Sequence, residues 1–136
     1  MNTKDSLPTE VKRRNTKQRE LVLGVVRAHT DHPTADRIFE EAHRLDEKIS
    51  RGTVYRNLSI LSHSGEILHI RVPGADRYDL NTSLHYHFFC VKCRGVWDLP
   101  FEYTPAHDKM LSDLTGYEVF RHRLLFEGLC PNCKNK

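Results

Sequence analysis

The chain has no apolar run that approaches membrane-spanning length, and its first residues lack the apolar core of a secretory signal. Both absences lead us to expect a soluble, cytoplasmic protein with no membrane partner. Sulfur is scarce, with four cysteines and two methionines in 136 residues, and there is a single tryptophan. No internal repeat or low-complexity segment occurs. No catalytic signature such as HExxH is present, which argues against an enzyme. Neither sign of charge dominates, since the formal net charge is only +3, so the whole-chain value says little about nucleic acid. A hydrophobic content of 38% with 29% charged residues suits one globular domain or two small ones sharing an interface.

The few cysteines are arranged in pairs. Cys90-x-x-Cys93 and Cys130-x-x-Cys133 account for all four. In a cytoplasmic chain, paired knuckles of this spacing are metal sites rather than disulfides. Two pairs make a closed, tetrahedral four-thiolate site for structural Zn²⁺, and Lys92, Arg94 and Lys134 are placed to offset its negative charge. The ion would staple the last strand onto the strand that begins the C-terminal domain. Just before the first knuckle stands His85-Tyr86-His87, in a stretch whose aromatic and β-branched content reads as a strand. Alternation along a strand puts both imidazoles on one face, where they suit a transition metal. Asp79 and Asp98 are candidate carboxylate partners, although spacing does not separate them from Asp76 or Asp113. His29, His43 and His63 fall on or near helix ends and read as solvated; His69 and His107 read as surface residues.

Taken in order, residues 1–15 are polar, with room for a short helix. Lys12, Arg13, Arg14, Lys17 and Arg19 then form a basic run without an acid. Thr16 is a plausible N-cap for a helix to about His29, with Leu21, Val22, Val25 and Val26 on one face. Thr34 caps a second helix to about Glu47, whose apolar stripe is Ile38, Phe39, Ala42 and Leu45. Ser50 caps a third helix to about His63, with Val54, Leu58 and Leu61 inward and Gly52, Tyr55, Arg56 and Ser59 outward. Strands at Glu66–Arg71 and Asp76–Leu80 follow, joined at Pro73-Gly74. Three helices and a hairpin are the order of a winged helix-turn-helix. A hinge at Asn81-Thr82-Ser83 divides residues 1–81, a DNA-binding domain, from 82–136, a metal-binding domain. The second half reads as strands at about His85–Val91 and Gly95–Leu99, a helix at about Pro105–Thr115, and a strand at Tyr117–Glu127. The fold class is α+β.

In a winged helix the third helix enters the major groove. Its outward face here carries Tyr55 and Arg56, with Asn57 at the margin. Arg pairs with guanine, and an aromatic ring packs on a thymine methyl. Arg14 and its neighbours suit phosphates or a narrow minor groove.

These motifs together resemble the ferric uptake regulator (Fur) family of metal-dependent repressors. The segments that carry the resemblance are His32-Pro33-Thr34-Ala35-Asp36, Gly52-Thr53-Val54-Tyr55-Arg56-Asn57-Leu58, Arg77-Tyr78-Asp79, His85-Tyr86-His87 with the first knuckle, and His122-Arg123-Leu124 before the second. The chain is most similar to the peroxide-sensing PerR branch. That resemblance implies a regulatory Fe²⁺ or Mn²⁺ site of His32, Asp79, His85, His87 and Asp98, with His32 and His87 open to oxidation by peroxide. It also implies a homodimer formed through residues 82–136, the dimerisation and metal-binding domain, that reads a near-palindromic double-stranded operator, with no small-molecule substrate besides peroxide. The sequence departs from many iron-sensing members in one respect. Tyr86 stands where they carry an acid, so a further site using Glu102 and His122 lacks a ligand.

Three neutral imidazoles and two carboxylates would balance a 2+ ion and leave an octahedral metal one open position. Two other readings compete with a peroxide-responsive repressor. One is an iron- or manganese-uptake regulator of the same family that ignores peroxide. The other is a metalloenzyme using the His/Asp ion.

Overall fold

Helix α1 runs unbroken from Thr9 to Arg27 in the computed structural model, which describes residues 9–136. The expected start at Thr16 is therefore corrected. Thr16 sits inside the helix, its hydroxyl donating to the Lys12 carbonyl at 2.9 Å. No proline interrupts Thr9–Arg27, so nothing local halts the helix before the basic run. Of the short helix expected within residues 1–15, the part before Thr9 lies outside the described residues. The chain falls into two compact units divided between Thr82 and Ser83.

The first unit continues with α2 (Ala35–Leu45) and α3 (Arg51–His63). Both begin at the caps read from the sequence. The Thr34 side chain accepts from the Arg37 amide at 3.2 Å, and Ser50 accepts from the Thr53 amide at 3.1 Å. Helix α3 ends where Gly65 takes φ 82°, which lets the Glu66 amide reach the Leu61 carbonyl at 3.0 Å. Val22, Val25 and Val26 of α1 meet Ile38 and Ala42 of α2 and Val54, Leu58 and Leu61 of α3 in one core. Each Val, Ile or Leu among them contributes about 1.5–3 kcal/mol relative to exposure. Leu45 does not join them and is 70% exposed, because α2 ends there and Asp46 turns extended.

Strands β1 (Leu68–Ile70) and β2 (Arg77–Asp79) pair antiparallel, with Leu68 opposite Asp79 and Ile70 opposite Arg77. They are shorter than the segments expected from composition. The loop after α1 is tied to β2. Thr34 bridges Arg77, the Tyr78 amide donates to Pro33 at 3.0 Å, and the Arg77 guanidinium donates to the His32 carbonyl at 2.8 Å.

The second unit holds β3 (His85–Cys90), β4 (Val96–Glu102), α4 (Ala106–Thr115), β5 (Leu125–Gly128) and the single turn α5 (Pro131–Lys134). The sheet order is β4-β3-β5, with β3 antiparallel to β4 and parallel to β5. A parallel neighbour needs a crossover, which α4 supplies. The expected strand at Tyr117–Glu127 is corrected to its last residues. Between Tyr117 and Leu124 amide groups go to side chains instead of a ladder: Val119 donates to Ser112 Oγ at 3.2 Å and His122 to the Tyr103 hydroxyl at 2.9 Å. No helix among the described residues is long and apolar enough to cross a membrane.

Candidate metal centres and nucleic-acid interface

Parallel strands end at the same edge of a sheet, and here that brings the two knuckles together. Cys90 closes β3 opposite Gly128 of β5, and the second knuckle begins two residues after Gly128. Cys90, Cys130 and Cys133 are buried, and Phe88 packs against them. The Cys93 and Cys130 sulfurs are 3.9 Å apart, and the four sulfurs lie within 4.8 Å of one another. Four Zn–S bonds of roughly 2.3 Å in a tetrahedron need sulfurs about 3.8 Å apart, so the donor set fits Zn²⁺. The first knuckle closes with Arg94 at φ 64°, its amide donating to the Cys90 carbonyl at 2.8 Å. The protons of the cluster are unevenly held. Burial raises the Cys90 thiol, but the amides of Cys130, Cys93 and Lys92 outweigh it and bring it down to about 6. Burial, then hydrogen bonds with the other three cysteines, push Cys133 up to about 12. Four thiols this close cannot all ionise without a cation among them.

At the other end of β3, His85 and His87 share a face, their ring centroids 4.3 Å apart, despite a register shift between them. His87 lies opposite Asp98 of β4. Both Nε2 atoms approach the same Asp98 Oδ1, at 3.0 Å from His85 and 3.2 Å from His87. Asp98 is therefore a mid-strand residue of β4. The Nδ1 of His85 is 2.6 Å from the Ser83 carbonyl, which can only accept. The hydrogen of neutral His85 is thus on Nδ1, and Nε2 turns a lone pair towards a carboxylate oxygen. Either a proton or a metal ion can stand between that nitrogen and the carboxylate. A carbonyl holding the outer nitrogen is also the usual way a metal-binding imidazole is oriented. This mixed N/O set fits Fe²⁺ or Mn²⁺.

In the first unit, His32 is buried, and its Nε2 lies 3.2 Å from Asp79 Oδ2. The ties between the 32–34 loop and β2 set that distance. Asp79 also accepts from the Asn81 amide at 3.0 Å.

One group of residues was missed from sequence. His122 Nδ1 lies 2.7 Å from Asp108 Oδ1, and its Nε2 lies 2.7 Å from the Tyr86 hydroxyl. The Tyr103 hydroxyl donates to the other Asp108 oxygen, and the Thr104 amide donates to Tyr86 at 3.0 Å. The hydrogen bond from Tyr103, then that from His122, holds the Asp108 carboxyl below its usual range against the effect of burial. Both His122 nitrogens are engaged within the protein and Glu102 is exposed. His29 is also not solvated: its side chain is 8% exposed, with Nε2 2.5 Å from Glu41 and Nδ1 3.2 Å from Asp31.

On α3, Tyr55 and Arg56 are exposed, whereas Asn57 is 6% exposed and donates its amide to the Thr53 carbonyl at 2.9 Å. Asn57 is thus an inward residue, not one at the margin of the outer face. Arg13, Arg14 and Lys17 are exposed on α1.

Residues 10–127 match the Ferric uptake regulator family. The peroxide-responsive repressor PerR of Staphylococcus epidermidis is 29% identical over 124 residues, 90% of this chain and 83% of that protein. The crystal structure of the Campylobacter jejuni peroxide stress regulator is similar at a TM-score of 0.75 and 27% identity, covering 98% of this chain and 100% of that one. The Helicobacter pylori ferric uptake regulator Fur, described with three functional metal binding sites, shares the fold at a TM-score of 0.73 and 21% identity, over 98% and 87% of the two chains.

Proposed function

The chain belongs to the ferric uptake regulator family, and from that premise we propose that it is a cytoplasmic, homodimeric repressor that releases its operator in response to peroxide. The family is one of metal-responsive transcriptional repressors, dimeric on DNA. The observation that carries the peroxide reading is the separation of donor types along β3. Every cysteine of the chain is gathered in the thiolate cluster at one end, and a sulfur-free His/Asp set stands at the other. In this reading, sensing falls to the imidazoles. The similarity to PerR of S. epidermidis and to the C. jejuni peroxide stress regulator supports the same branch.

In this reading Cys90, Cys93, Cys130 and Cys133 hold structural Zn²⁺ and fasten β5 to β3. His32, Asp79, His85, His87 and Asp98 hold the regulatory Fe²⁺ or Mn²⁺. One ion bound by residues of both units would restrict their relative orientation to the one that fits DNA. Iron(II), if bound there, would make peroxide an oxidant towards the ligands themselves. One peroxide oxygen would be added to an imidazole carbon, a two-electron oxidation of the ring, and the other would leave as water, with no net change at the iron. The imidazoles of His32 and His87 are the groups that gain oxygen, which weakens them as ligands and frees the units. Exposed Phe101, Leu114, Tyr117 and Phe120 of the second unit support a dimer surface there. Exposed Tyr55 and Arg56 support base reading, and Arg14 supports backbone contact.

The test loads the protein with Fe²⁺ or Mn²⁺, exposes each briefly to peroxide, and follows operator binding and peptide masses together. The proposal expects DNA release and one added oxygen on a peptide containing His32 or His87 with iron only. Release with intact histidines and a new disulfide would overturn it, and no release at all would leave an iron- or manganese-uptake regulator.

A further inference from the structure

Asp36 is an acid in the unit that is read here as meeting DNA. It lies in the first turn of α2 with its side chain 65% exposed. An exposed carboxylate repels phosphate, so a negative charge there weakens DNA binding. Its contacts show what it does instead. The Tyr55 hydroxyl donates to Asp36 Oδ1 at 2.5 Å, from α3 to α2, and Arg51 Nη1 donates to the same oxygen. The Arg51 guanidinium lies 4.5 Å from the centre of the Phe39 ring, which holds it against α2. Arg51 and the N-terminal end of the α2 dipole together offset much of the charge on Asp36.

The consequence falls on Tyr55. A tyrosine side chain has two rotatable bonds, and a partner at the hydroxyl fixes both. The phenol has one hydrogen, and that hydrogen is given to Asp36, so the hydroxyl has no donor left for a base. The ring is 43% exposed and is what remains to make contact. A ring held in this way recognises an apolar base edge such as a thymine methyl through shape. We infer that Asp36 is a positioning residue for sequence discrimination: it holds the Tyr55 ring in the orientation that meets the base edge. The inference rests on the proposal that α3 reads DNA.

Asp36→Asn keeps an oxygen at Oδ1 and removes the charge, whereas Asp36→Ala removes both. Full-length, zinc- and Mn²⁺-loaded protein is used to select binding duplexes from a random library. Preference is then the ratio of affinities for the selected duplex and a scrambled one. Both variants bind the scrambled duplex more tightly, by the same factor, because each removes one negative charge and leaves the positive charge of Arg51 uncompensated. Asp36→Asn keeps the wild-type preference. In Asp36→Ala the preference falls by about two- to tenfold, the range of one hydrogen bond. The loss is confined to the operator position that Tyr55→Ala also relaxes, and Asp36→Ala adds nothing in a Tyr55→Ala background. Wild-type preference in Asp36→Ala, or a loss that adds fully to that of Tyr55→Ala, overturns the inference alone. A wild type that enriches no sequence overturns the DNA reading and the inference together.

Discussion

The Tyr86 hydroxyl lies 2.7 Å from Nε2 of His122, while Nδ1 of that ring faces Asp108. Tyr86 is 5% exposed and also accepts from the Thr104 amide, so its oxygen joins β3 to the segments on either side of α4. Tyr86→Phe leaves two polar groups without this partner and should destabilise the protein by about 1–3 kcal/mol. It should do so without lowering the zinc content. Denaturant midpoints together with metal analysis decide this. A variant as stable as wild type would mean that the hydroxyl contributes nothing.

The same network has an acid limb. Asp108 titrates below its unfolded value because Tyr103 and then His122 bond to the ionised form. A depressed carboxyl contributes stability that is complete above the unfolded pKa of about 3.9 and is lost as pH falls through the folded value. Asp108→Asn should therefore be less stable than wild type near neutrality, and the gap should close below about pH 4. Thermal midpoints of both proteins across that range check the sign. A gap that stays constant with pH would remove Asp108 from this role.

The sulfur cluster makes a separate prediction. Cys93 is exposed while its three partners are buried, yet its sulfur is 3.9 Å from that of Cys130. If four thiolates share one zinc, Cys93→Ser should lose the ion as readily as Cys133→Ser. Each should unfold or monomerise the second unit. Zinc stoichiometry and sedimentation give the answer, and a stable dimer retaining one zinc per chain in either variant refutes the assignment.

Two arginines should fail differently on DNA. Arg56→Ala should cost roughly 1–3 kcal/mol and relax preference at one operator position. Arg14→Ala should weaken binding to every duplex alike and flatten its dependence on salt. Salt titrations on matched and mismatched operators separate the two. Unchanged discrimination in Arg56→Ala would remove that residue from base reading.

The exposed apolar residues of the second unit give the last prediction. Leu114 is 77% exposed and Phe120 76%. Replacing both with Asp should shift the protein from dimer to monomer and abolish operator binding, while the metal content stays the same. Light scattering reports the mass. A dimer that survives the double change places its interface elsewhere.

Much of this was legible along the chain because it depends on local spacing. The caps at Thr34 and Ser50, the inward face of α3, that of α2 apart from Leu45, and the two knuckles each follow from a residue type at a fixed offset. The start of α1 was misread for the same reason, since Thr16 has the chemistry of a cap and only its place in a longer helix cancels it.

The choice of carboxylates was different in kind. Asp76, Asp79, Asp98 and Asp113 were equal candidates along the chain. Folding gives Asp76 to His69 at 2.8 Å and Asp113 to Lys109 at 2.7 Å, and turns Asp98 to His85 and His87 and Asp79 to His32. Asp113 is taken by an i,i+4 partner and Asp76 by its own hairpin. The turning of Asp98 and Asp79 is instead decided by ladder register and by the stitching of the 32–34 loop to β2, which bring together residues far apart in sequence. The same holds for Asp108, Tyr103, Tyr86 and His122, whose shared network no spacing announces. The sequence by itself determined which donor atoms the protein has; only the tertiary structure decided which of them meet, because side-chain pairing across strands is a property of register and not of composition.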